Sequence, residues 1–336
     1  MKPLLNVKPI NDANRLGLDY QAEAASLATC AGIFDVHTHL QDVQAARLYF
    51  KVADLFGIEK VWSMSNLEEV DAIKDEFGQR VEFIAVPNYD NRDKPGTFTT
   101  DWLKRIEGFA AKGVKMCKFW AAPRGRDFHV DLQLDSPIRR EGVKLAHSLG
   151  MSFMTHVADP DTWFATTYVD SKKYGTKAQQ YEPLERLLDE YGDVKWVAAH
   201  MGGNPEDMDH LQKLLDAHPN LYLDTSAVKW MVRELSKQPD RFRAFTEANL
   251  GRVLFGSDIV ANAKTMTFDL FASRYWSLRT MFETDYEGPS PIVDPDLVMI
   301  GETEDEKATA MLRGAMLSEP VLASIYSEAA KHVMPF

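Results

Sequence analysis

Eight short apolar runs, each of strand length and separated by stretches of helical periodicity, constrain this 336-residue chain more than any other feature. They fall at roughly 33–40, 60–65, 81–87, 114–121, 152–158, 194–201, 220–226 and 252–259. Most are continuously apolar rather than alternating, as parallel strands covered on both faces are. Between them, Leu184, Leu187, Leu188 and Tyr191 repeat at helical spacing, with Pro183 expected in the first turn and Gly192 just past the end. Met208, Leu211, Leu214 and Leu215 repeat in the same way, and Asp42 to Gly57 is a third helix. The alternation predicts an α/β fold, a (β/α)8 TIM barrel closed as a single domain over 33–336. Residues 1–32 lie outside the count as an N-terminal extension, with a helix expected from Ala22 to Cys30. The stretch 284–306, with Pro289, Pro291 and Pro295, reads as an extended loop, and 307–331 returns to a helical pattern as C-terminal helices.

Four of the runs end alike. The first closes with Asp35-Val36-His37-Thr38-His39, the fifth with Thr155-His156, the sixth with Ala199-His200 and the eighth with Ser257-Asp258. On a strand, residues i and i+2 share a face, so the His37 and His39 imidazoles project together. Two converging imidazoles make half of a zinc-type site. In a barrel all four endings lie at the C-terminal rim, where barrel active sites form, so residues far apart in sequence are expected to converge there.

Bulk properties exclude several classes. With 38 basic and 50 acidic side chains, the net charge of −12 argues against nucleic acid as a partner. Two cysteines, Cys30 and Cys117, give no disulfide framework and point to a reducing compartment. Met1 to Val7 lacks the apolar core of a signal peptide, and no apolar run reaches about 18 residues. A cytoplasmic protein that touches neither nucleic acid nor membrane, and takes a small molecule, is the expectation.

Phe34-Asp35-Val36-His37-Thr38-His39, Thr155-His156-Val157-Ala158-Asp159-Pro160, Ala198-Ala199-His200-Met201-Gly202-Gly203 and Leu254-Phe255-Gly256-Ser257-Asp258 together resemble the amidohydrolase superfamily. The likeness is to its amidohydrolase-related branch, which holds metal-dependent hydrolases, lactonases and decarboxylases similar to aminocarboxymuconate semialdehyde decarboxylase. The resemblance implies that His37, His39 and His156 are metal ligands. It implies that Asp258 is a ligand that also accepts a proton from water, and that His200 polarises substrate or moves a proton. It also implies one divalent ion, with zinc expected and manganese or iron as alternatives. Superfamily relatives often form dimers, so a homodimer is compatible with it.

Lys118, on the fourth run, stands where some superfamily members carry a carboxylated lysine bridging two metals. An ion pair with a buried acid, or a grip on a substrate carboxylate, are the other readings. Trp120 shares its face. Arg124 and Arg126 after the fourth run, and Lys229, Trp230 and Arg233 after the seventh, form two basic and aromatic clusters at the rim. If they line the pocket, the substrate is an anion. Asp35 stands two residues before the metal pair, where it could brace a ligand. Three functions compete: hydrolysis of an ester, lactone or amide with Asp258 as base; non-oxidative decarboxylation of an unsaturated or aromatic acid; and binding without turnover. The intact set of four histidines and Asp258 disfavours the last, and the breadth of hydrolysis in the superfamily favours the first.

Overall fold

The computed structural model describes residues 10–28, 32–129, 132–264 and 266–334. Nine short parallel strands form its centre: β1 (Ile33–Leu40), β2 (Ile58–Ser63), β3 (Val81–Ala85), β4 (Met116–Trp120), β5 (Ser152–His156), β6 (Trp196–Ala198), β7 (Leu221–Asp224), β8 (Val253–Leu254) and β9 (Ile259–Ala261). Each of β2 to β8 pairs with the strand before it, and β9 pairs with β1. The eighth apolar run therefore supplies two strands rather than one. Its first half lies on β7 through Asp224↔Leu254, and its second half on β1 through His39↔Val260. Between them Val36 N–H donates to the Phe255 carbonyl at 2.9 Å, and Asp258 N–H to the His37 carbonyl at 2.8 Å. The split run thereby closes the (β/α)8 barrel.

The strands are buried on both faces. Val61, Ile84, Met116, Phe153, Val197 and Leu221 are all at most 2% exposed. Continuous apolar sequence is what such a position requires. The crossover helices bury one stripe each. Helix Val43–Leu55 is capped by Asp42, which accepts from Ala45 N–H, and it buries Ala45, Ala46, Tyr49, Phe50, Val52 and Ala53. Helix Met208–Ala217 is capped by Asp207 and buries Met208, Leu211, Leu214 and Leu215. Helix Lys177–Glu190 starts earlier than expected, at a capping box formed by Thr176 and Gln179. Pro183 thus lies inside this helix and not in its first turn.

Two further expectations are corrected. The stretch 284–306 and the start of the tail are not loop and helix. They carry β10 (Glu287–Val293), a helical turn Asp296–Met299, and β11 (Thr309–Arg313), which pairs antiparallel with β10. Prolines are tolerated because the hairpin has only two strands, and the ladder is irregular between Pro289 and Val293. Helices resume at Glu319. The N-terminal helix runs over Tyr20–Ser26, and Cys30, to which it was expected to extend, lies outside the described residues. The segment before it joins the hairpin, with Arg15 N–H donating to the Pro291 carbonyl at 2.8 Å and Val293 N–H to the Asp12 carbonyl at 2.9 Å. Among the described residues, no helix is long and apolar enough to cross a membrane.

Candidate active site and metal centre

At the C-terminal end of β1, His37 and His39 emerge on one face, their ring centroids 5.8 Å apart. Asp258 arrives from the break between β8 and β9. Its Oδ1 lies 3.4 Å from His37 Nε2 and 3.2 Å from His39 Nε2. A backbone φ of 56° at Asp258 turns its carboxylate inward, a conformation that costs energy for a residue other than glycine. Asp35 braces this turn. It accepts from Ser257 N–H at 3.0 Å, from the Ser257 hydroxyl at 2.6 Å and from the Tyr275 hydroxyl at 2.9 Å. Burial pushes the Asp35 carboxyl up to about 6, against the pull of those donors.

A second constellation sits behind the first. Asp224, the last residue of β7, places Oδ2 2.8 Å from His37 Nδ1, while its Oδ1 accepts from His200 N–H at 2.9 Å and Ser226 N–H at 3.0 Å. The Ser226 hydroxyl touches that same Oδ1 and also reaches His37 Nδ1 at 3.0 Å and His200 Nδ1 at 2.7 Å. His37, His39 and Asp258 form one group of donors lying within 4.8 Å of one another, and His37, His200 and Asp224 another. Lys118, 5% exposed on β4, points its Nζ at His37 Nε2 from 2.9 Å. Burial lowers its ammonium to about 8, although Asp258 and Asp224 oppose the shift.

Electrostatics separate the roles these groups can take. Burial alone would raise Asp258. The hydrogen bond from His39 and the imidazoles of His37 and His200 outweigh it and hold the carboxyl well below the usual range. Asp258 is thus an anion. Burial, with His156 and His37 nearby, holds His200 well below the ordinary imidazole value, so it is neutral. Imidazole nitrogen and carboxylate oxygen are the ligands of zinc, iron and manganese. His37 Nε2, His39 Nε2 and Asp258 Oδ1 therefore fit a divalent cation.

His156 stands apart from both donor groups. Its ring packs 4.5 Å from that of His200, but its Nε2 is engaged by Asp159 Oδ1 at 2.7 Å, and the Tyr168 hydroxyl donates to the other oxygen of Asp159 at 2.5 Å. A ring held by a carboxylate through Nε2 keeps Nδ1 as its other nitrogen. Three of the other histidines have partners away from this site, His147 with Asp193, His210 with Asn204 and His218 with Asp189.

Over this floor lies a cavity of about 530 Å³. Lys118, Trp120, Lys229 and Trp230 line it, as does His156, but Arg124, Arg126 and Arg233 are not among its walls. Arg124 is exposed. Arg126 donates to the Tyr174 carbonyl and to Gln180, two loops away. Arg233 is buried in ion pairs with Glu234 at 2.7 Å, Asp294 at 2.6 Å and Asp296 at 3.0 Å. Two arginines that the sequence reading missed replace them: Arg92, whose guanidinium lies 5.2 Å from the Phe128 ring centroid, and Arg274 on helix Phe268–Glu283. Burial lowers the Arg274 guanidinium to about 10. Trp163 donates its Nε1–H to Asp296 at 3.1 Å.

Asp224 and Ser226 were also missed. Asp224 ends the seventh apolar run just as Asp258 ends the eighth region, so the signal was present, but no histidine stands beside it in sequence.

The family model described as amidohydrolase matches residues 34–331. No curated protein matches the sequence. Among solved structures, an amidohydrolase II is 12% identical with a TM-score of 0.50, covering 90% of this chain and 99% of that one. An amidohydrolase from Burkholderia multivorans, solved with bound zinc, is 10% identical with a TM-score of 0.49 over the same shares of the two chains. A 5-carboxyvanillate decarboxylase from Sphingomonas paucimobilis is 11% identical with a TM-score of 0.45, again over 90% of this chain and 99% of that one. The family match spans nearly the whole barrel and all the rim residues described above, and the chain belongs to the amidohydrolase family.

Proposed function

We propose that this chain is a metal-dependent hydrolase acting on an ester, lactone or amide bond of a small anionic substrate. One observation carries the reading. Two imidazole nitrogens and an ionised carboxylate converge within 4.8 Å at the floor of a cavity whose walls hold Arg92, Lys118, Lys229 and Arg274. Among the described residues, Asp258 is the single acidic one on those walls. In a protein of net charge −12, four cations facing one cavity favour a negatively charged ligand.

His37, His39 and Asp258 would hold one divalent ion, for which zinc suits the nitrogen-rich donors best. Such an ion supplies positive charge that acidifies water and polarises a carbonyl. Asp258, anionic and cavity-facing, takes the proton of the attacking water. His200, neutral and bound through Nδ1 to Ser226, has Nε2 as its remaining nitrogen, which accepts the water-derived proton from Asp258 and passes it to the leaving group. Lys229 and Arg274 grip the anionic end, and Trp120 and Trp230 flank the substrate's apolar body.

A second reading, decarboxylation of an aromatic or unsaturated acid, is favoured by the ring-rich wall of Tyr89, Phe98, Trp120, Phe128 and Trp230. One experiment separates the two. Purified protein loaded with zinc or manganese is incubated in H₂¹⁸O with lactones, esters and carboxylated aromatics. Hydrolysis places ¹⁸O in the product. Release of CO₂ without ¹⁸O incorporation overturns the first reading in favour of the second.

A further inference from the structure

We propose that Asp224 and Ser226 act as one positioning pair that fixes the tautomers of His37 and His200 together, leaving Nε2 of both rings as the basic nitrogen. The inference extends the metal reading above, but its ground is a count of protons among buried atoms. Asp224 and Ser226 are fully buried, as is His37, and His200 is 3% exposed, so bulk water does not substitute for any partner.

The count starts at Asp224. Its Oδ1 already receives two backbone N–H groups, from His200 and Ser226, and a carboxylate so engaged accepts only. The Ser226 hydroxyl has one proton and two lone pairs. It touches three atoms: Asp224 Oδ1, which is the nearest, His37 Nδ1 and His200 Nδ1. Its proton must go to the carboxylate, because two oxygens in such close contact with no proton between them repel. Both lone pairs then face ring nitrogens, and each ring must bring the proton. His37 Nδ1–H is shared between Asp224 Oδ2 and Ser226 Oγ, and His200 Nδ1–H goes to Ser226 Oγ. The far side of His37 is compatible with this: Lys118 Nζ lies 2.9 Å from His37 Nε2, and a protonated Lys118 donates to that nitrogen.

One hydroxyl thus sets two rings with different tasks. His37 is kept ready to give its Nε2 lone pair to a cation, and His200 is kept ready to take a proton through its Nε2. The pair sits two residues apart at the end of β7, the same i, i+2 device that aligns His37 and His39 on β1.

The test uses metal-free, ¹⁵N-histidine-labelled protein at pH 8 and long-range ¹H–¹⁵N correlation spectra, with His37→Gln and His200→Gln variants for assignment. Wild type is expected to show Nδ1–H and a bare Nε2 for both rings. Ser226→Ala should move His200 toward the Nε2–H form while His37, still held by Asp224, stays unchanged. Asp224→Asn should release His37, and Ser226→Thr, which keeps the hydroxyl, should restore the wild-type pattern at both rings. Zinc affinity, read by chelator competition, should fall about 10–100-fold in Asp224→Asn. Nε2–H on either ring in wild type, or an unshifted His200 in Ser226→Ala, overturns the proposal. If wild type takes up no divalent ion, the metal reading fails while the spectra still decide this one. If Asp224→Asn does not fold, Ser226→Ala against Ser226→Thr decides it.

Discussion

Removing the charge of Asp258 takes away the one anion that His37 Nε2 and His39 Nε2 both face. Asp258→Asn keeps the shape and is expected to lower zinc affinity at least about tenfold and to abolish turnover. Chelator competition with metal analysis checks this, and wild-type retention of zinc would remove Asp258 from the ligand set. The cation wall is tested in the same way. A hydrogen bond to a charged group contributes about 1.5–3 kcal/mol, so Lys229→Ala and Arg274→Ala should each raise KM for an anionic substrate about 10–100-fold and change kcat less. A neutral ester of the same substrate should be indifferent to both changes. Equal loss for the two substrates would assign Lys229 and Arg274 to packing. These residues differ in how legible they were. His37, His39 and Asp258 announce themselves because a polar, metal-capable residue ends an apolar run. Arg274 was invisible because it lies within a helix that buries eleven of its sixteen residues, where nothing in the local pattern says which side faces a cavity. His156 shows where sequence falls short: one of its ring nitrogens lies beside Asp159, three residues on, a contact that sequence spacing does not reveal.

At the level of elements, the rim works because backbone breaks aim side chains. The eighth run was legible as a strand, but its division was not, since the cause is the positive φ of Asp258 and the bracing of Ser257 by Asp35 across 222 residues. Gly256 makes that division possible. A Cβ there would stand 3.1 Å from His37 Cβ, 3.2 Å from Ser226 Cβ and 3.5 Å from Asp224 Cβ. Gly256→Ala therefore crowds His37 and Ser226 at once, at a cost to stability of about 1–3 kcal/mol. The expected result is a folded protein whose zinc affinity falls more than its melting temperature suggests, read by chelator competition beside thermal unfolding. Gly203, after β6, is the contrasting case. Its φ is 72°, and a Cβ would stand 1.8 Å from the Ala158 carbonyl oxygen, so Gly203→Ala must move backbone. It should fail to fold or melt far lower, and a Gly203→Ala protein as stable as wild type would refute the rim geometry.

Across the whole molecule, the hairpin of β10 and β11 is tied to the barrel by a buried charge cluster that bears on the cavity. Arg233, on helix Val228–Leu235, pairs with Asp294 and Asp296 from the segment between the hairpin strands. Asp296 also receives the indole N–H of Trp163 at 3.1 Å and of Trp230 at 3.2 Å, and Trp230 is a cavity wall. One carboxylate thus links the added hairpin, the barrel and the substrate space. Deleting Arg233 leaves Glu234, Asp294 and Asp296 buried without their guanidinium. Breaking a buried pair from one side costs about 3–5 kcal/mol, because an uncompensated charge remains. Arg233→Ala should therefore lower Tm by about 4–7 °C in a chain of this size. It should also loosen the Trp230 wall and raise KM, although Arg233 touches no substrate. Adding Asp294→Asn and Asp296→Asn to Arg233→Ala removes two of the stranded charges and should recover part of the stability. It should not recover KM, because the amide at 296 no longer anchors the two indoles as a carboxylate does. Thermal unfolding and steady-state kinetics on the single and triple variants check both halves. A Tm that falls without any change in KM would confine the cluster to stability and detach the hairpin from the site.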